Sequence, residues 1–145
     1  MNLIDMPFRE KTAWAMSVIL TLGAFYYFED VVSVSRALGH TAPPIVAFVI
    51  AYVVFIAVTS AIVMSILGGT AGKEADAPAD ERERRIMDKA GNWSGYVLAA
   101  PAIGALFHYA NYGDGNMLFH IVFLGLMLSQ IAEYVFQIIL YRRGG

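Results

Sequence analysis

Residues 80–93 read DERERRIMDKAGNW, the one long polar island in an otherwise apolar chain. Two apolar runs precede it and two follow, so its reading decides the fold. Asp80 is a good N-cap, and Glu83, three residues later, completes the pattern of a capping box. Glu81 with Arg85 and Arg84 with Asp88 are favourable pairs four residues apart. Ile86, Met87 and Ala90 supply a modest apolar face. The pattern predicts a short amphipathic helix lying on a membrane surface, ended or bent at Gly91-Asn92. The plainer reading of so many charges is a solvated loop that sets topology; the sharper one is a contact surface for a partner, carried by Arg82, Arg84 and Arg85.

Outward from this island the chain turns oily. Of its 145 residues 58% are hydrophobic and only 15% charged, against about 25% charged in ordinary soluble domains. The formal net charge of −2 gives no reason to expect nucleic-acid binding. With no cysteine, disulfides, thiolate chemistry and cysteine-based metal sites are excluded. We expect a single all-α membrane domain over 1–145, an integral membrane bundle of four antiparallel transmembrane helices plus the short amphipathic helix. The expected spans are about 12–28, 44–67, 93–110 and 117–141, with a loop at 68–92.

The first run, 12–28, follows Arg9 and Lys11 and ends in Phe25-Tyr26-Tyr27-Phe28. A cleaved signal peptide competes with this reading, but bulky aromatic residues at its end favour an uncleaved helix. Residues 29–42 read as a loop turning at Gly39-His40. Pro43-Pro44 then opens the second helix, where a missing N–H costs nothing. Ala57, Ala61, Ser65 and Gly69 form a ridge of small residues that another helix can approach closely. Residues 68–79 are a flexible linker by composition. Pro101 predicts a kink in the third run, and residues 111–116, NYGDGN, a tight turn into the fourth.

Nine of the ten Lys and Arg fall in the N-terminal lead, the central loop or the C-terminus; Arg36 is the exception. The positive-inside rule then places both termini and the central loop in the cytoplasm, and the inner membrane is the expected location. Trp14, Trp93, Tyr96 and Tyr141 form the expected inner aromatic belt, and Tyr26, Tyr27, Tyr109 and Tyr112 the outer one.

Asp80-Glu81-Arg82-Glu83 followed by Ile86, Lys89 and Ala90, together with the terminal Tyr141-Arg142-Arg143-Gly144, resembles a group of small uncharacterised prokaryotic membrane proteins. The resemblance covers 80–144. It implies an architecture and carries no activity to assign; the resemblance further implies encoding beside small helix-turn-helix regulators, as for some members of the group, which hints at signalling.

Two constellations bear on chemistry. Gln130, Glu133 and Gln137 share one face of the fourth helix, and Glu133 is the one charged residue well inside a span. It reads as a proton or cation site, or more plainly as a hydrogen-bonded carboxyl holding helices or subunits together. The second is His40, His108 and His120 with Glu29, Asp30 and Asp114, all expected at the outer end. Imidazole and carboxylate suit zinc, and a bis-histidine haem is a second reading; ordinary interfacial histidines are the plainer one. No nucleophile–base pair or phosphate-binding loop appears, so we expect a protein of non-enzymatic type that senses or scaffolds through its cytoplasmic helix. A homo-oligomer with a cytoplasmic protein partner is expected. A small transporter or channel subunit using Glu133 is the alternative, and a metal- or haem-binding protein of the outer face a weaker one.

Overall fold

The structure is a computed structural model and describes residues 6–144. It contains four α-helices: α1 (Phe8–Leu38), α2 (Val46–Ala71), α3 (Glu81–Tyr112) and α4 (Gly115–Arg143), with a 3-10 turn at Gly72–Glu74. Three of them, α1, α2 and α4, are long and apolar enough to cross a membrane. The main packing runs α3–α4–α1–α2, so α4 is held on two sides and α2 leans on α1.

The expected loop at 29–42 is corrected: α1 runs on through Glu29, Asp30 and Arg36 to Leu38. Charge does not break a helix, and nothing in EDVVSVSRAL does. The helix stops at Gly39, whose φ of 74° is left-handed and whose N–H reaches Ser35 O. α2 begins at Val46, after the proline pair. Pro44 disfavours helical backbone at Pro43, which delays the start.

A second correction concerns the polar island. It is no separate surface helix. Its residues form the first turns of α3, which is continuous for 32 residues through Gly91-Asn92 and Pro101. Gly91 costs about 1 kcal/mol relative to alanine, and the seam with α4 offsets that. Ile86 and Ala90 are buried against Leu140 and Tyr141, with Phe136 alongside. Ile86 is only 1% exposed, and burying such a side chain contributes about 2 kcal/mol.

Two contacts hold the middle of the seam. Ser129 donates to Ser94 O at 2.9 Å. At Gly125 the helices nearly touch: an added Cβ would lie 2.7 Å from Pro101 Cγ. A second core lies nearer the end that carries the α1–α2 and α3–α4 turns, where Tyr27, Val31 and Met127 pack with Phe48, Tyr52 and Phe123. Tyr27 and Tyr141 are therefore core residues, not belt residues, at 4% and 8% exposure. The small-residue ridge of α2 is also reassigned. Ala57, Ala61, Ser65 and Gly69 are all exposed; the close approaches are made by Gly23 and Gly125.

α2 itself has no buried residue. Val46, Ile50, Val53, Val58, Ile62 and Ile66 are each more than half exposed. An uncharged helix that is apolar all round, and not buried in protein, suits a lipid surrounding.

Candidate functional site: the polar end shared by α1, α3 and α4

Asp80 caps α3 as its sequence requires. Its carboxylate accepts from Glu83 N at 2.7 Å, and Glu83 Oε2 accepts from Asp80 N at 3.2 Å. The same Glu83 oxygen also takes Arg9 Nε at 3.1 Å. Arg9 further donates to Ala77 O, and Phe8 N donates to Glu74 Oε1 at 2.8 Å. The start of α1 is thus tied to the segment leading into α3.

On the other side of α1, Glu10 is 5% exposed and lies 3.3 Å from Arg142 Nε, an ion pair without hydrogen-bond alignment. Arg142 also lies over the Trp14 ring, 5.6 Å from its centroid. Arg82 donates to Tyr141 O at 3.3 Å. Residues distant in sequence therefore meet at one end of the molecule. Sequence reasoning took Arg9 and Arg142 as topogenic charges and gave Glu10 no role. The available signal was Glu10, an acidic residue in the first turn of an apolar helix.

The three arginines assigned to a partner do not share a face. On a helix Arg82, Arg85 and Lys89 lie together, whereas Arg84 is rotated away with Asp88. Arg85 pairs with the exposed Glu81 at 3.4 Å. Arg82, Arg85 and Lys89 line a recess of about 320 Å³ with Glu81, Ile86 and Gly144.

At the other end, the histidines are held apart in function. His120 is buried, and its Nε2 lies 2.9 Å from Ala42 O; a carbonyl only accepts, so Nε2 carries the hydrogen. His108 is tilted over Tyr112, 4.7 Å between centroids. His40 is exposed, its Nδ1 3.0 Å from Thr41 O. Glu29 and Asp30 sit on exposed positions of α1. Among the described residues, no three His, Asp or Glu side chains come together as a metal-holding group.

Asp114 has a different task. It caps α4 through Met117 N at 2.9 Å and accepts from Thr41 at 3.2 Å. Those bonds, the backbone one foremost, hold its carboxyl below the usual carboxylate range. Asn116 donates to Thr41 O at 3.3 Å, so the α1–α2 and α3–α4 turns are laced together.

Gln130 is exposed, Glu133 half-buried and Gln137 buried. They line one side of α4, between the faces that meet α1 and α3. Comparison with family models, with curated proteins and with solved structures found no match.

Proposed function

We propose that the chain is a small multi-pass inner-membrane protein of non-enzymatic type, which senses or scaffolds through the polar first turns of α3. One observation carries this reading: the polar island and the run that follows it are one unbroken helix. A contact made at its charged end is passed along the unbroken helix as far as Pro101, the position where a missing N–H opens the hydrogen-bond ladder. Under this proposal α3 also crosses the membrane and brings the spans to four, with both termini and the island in the cytoplasm, following the charge split. Arg84, exposed and turned away from α4, is the residue offered to a cytoplasmic protein partner.

A homo-oligomer belongs to the same proposal. Gln130, Glu133 and Gln137 make no side-chain hydrogen bond among the described residues, and a carboxyl in an apolar helix needs polar company.

The test has two arms. Reporter fusions after Ala77 and Gly145 should report the cytoplasm, and one after Gly113 the outside. A photo-crosslinking residue at position 84 should give one discrete protein adduct in intact membranes, while one at position 112 should not. A periplasmic report at Ala77 overturns the sidedness, and equal adducts at both positions overturn the partner surface.

A further inference from the structure

We propose that the recess between the first turns of α3 and the C-terminal end of α4 binds the phosphate of an anionic phospholipid. The argument starts from helix geometry. Arg82, Arg85 and Lys89 are spaced three and four apart and so line one face. That face opens onto a recess of about 320 Å³, lined also by the buried Ile86 and by Gly144. Among the described residues three cations face one anion there, Glu81, which is itself exposed and paired with Arg85 at 3.4 Å.

The recess is partly organised before any ligand arrives. The Arg82 guanidinium is held against Tyr141 O at 3.3 Å, which lowers the ordering cost of binding. Its position also selects the ligand. Lys89 is one turn from Trp93, which is 41% exposed and packs edge-on against Phe136. Trp14, 43% exposed, carries Arg142 on its ring. Exposed tryptophans mark the interface of a bilayer, and cations one to three turns beyond them stand at the depth of lipid phosphates. Arginine contacts the phosphate oxygens through paired N–H donors, and lysine acts as a point charge. A free phosphate anion shares this chemistry but has no chain to lie along the apolar flank of α3.

The inference rests on the membrane reading and is independent of the protein partner. The experiment uses the full chain in nanodiscs of phosphatidylcholine mixed in equal parts with phosphatidylglycerol, and native mass spectrometry of the ejected complex. The wild type should retain phosphatidylglycerol in preference to phosphatidylcholine. Arg85→Gln with Lys89→Gln should lower that preference about fivefold for each cation removed, while Arg85→Lys with Lys89→Arg should keep it. Arg36→Gln, at the other end, should leave it unchanged. Inorganic phosphate added to the same nanodiscs should not displace the lipid. Equal retention in the double glutamine variant, an equal loss in Arg36→Gln, or displacement by inorganic phosphate would overturn the proposal. Failure of the chain to enter nanodiscs would instead overturn the membrane reading beneath it.

Discussion

Arg9 and Glu83 meet at 3.1 Å through the same carboxylate oxygen that closes the capping box of α3. One atom thus stabilises a helix start and fastens a second helix to it. Glu83→Gln keeps an acceptor for Asp80 N and loses the ion pair, which is partly exposed and worth under about 1 kcal/mol. Glu83→Ala removes both and should cost about 1–2 kcal/mol. Thermal unfolding in detergent should rank the variants wild type, Gln, Ala. Equal melting of Gln and Ala would show that the return bond from the residue 83 side chain to Asp80 N contributes nothing.

Glu10 is more deeply placed than its partner. Arg142→Met would leave a carboxylate that is 5% exposed without its cation. Stripping one member of a buried pair costs about 3–5 kcal/mol, and the partial exposure of Arg142 reduces this to about 2–3 kcal/mol. Adding Glu10→Gln to Arg142→Met should recover most of the loss. A double variant no more stable than the single one would mean that Arg142 acts through Trp14 alone.

Gly125 and Gly23 provide a paired test of helix contact. An alanine methyl at 125 meets the rigid Pro101 ring at 2.7 Å, and one at 23 meets the mobile tip of Ile56 at 2.7 Å. Gly125→Ala should therefore destabilise by about 1–3 kcal/mol and Gly23→Ala by less. Measured melting temperatures in the reverse order would mean that the α3–α4 seam yields more readily than the α1–α2 contact.

Asp114 should make the α1–α2 and α3–α4 turns acid-sensitive. Its folded carboxyl titrates below the unfolded one, so its contribution is fully present above the unfolded value near 3.9. It is lost as pH falls through the folded value. Asp114→Asn keeps the cap and removes this step. Side-chain carboxyl shifts followed by NMR through the acid range should show the depressed titration, and an ordinary one would remove the predicted step.

Glu133 separates assembly from transport. Glu133→Gln keeps shape and hydrogen bonding and should preserve oligomers, whereas Glu133→Leu should weaken them by about 0.6–2 kcal/mol. In liposomes, loss of proton- or ion-coupled flux in Glu133→Gln with assembly intact would favour a transporter over a scaffold.

The sequence by itself determined the local events. Asp80 and Glu83 specify a capping box because both partners lie within one turn. Gly39 and Gly113 specify helix ends because they adopt left-handed φ without a Cβ clash. The apolar runs that become α1, α2 and α4 are legible because length and hydropathy are additive along the chain. Where polarity changed midway along a helix, the same reading failed: it ended α1 at Phe28 and ended or bent the helix of the polar island at Gly91-Asn92. Charges mark where a helix meets water, and backbone breakers mark where it stops. Tertiary structure alone decided what depends on distance across the fold. It placed Tyr27 and Tyr141 in cores, left the ridge of α2 exposed, and chose Gly125 for the close approach to Pro101. It also brought Arg9 to Glu83 and Glu10 to Arg142. The members of each pair are far apart in the chain, and packing of α4 against both α1 and α3 is what brings them together.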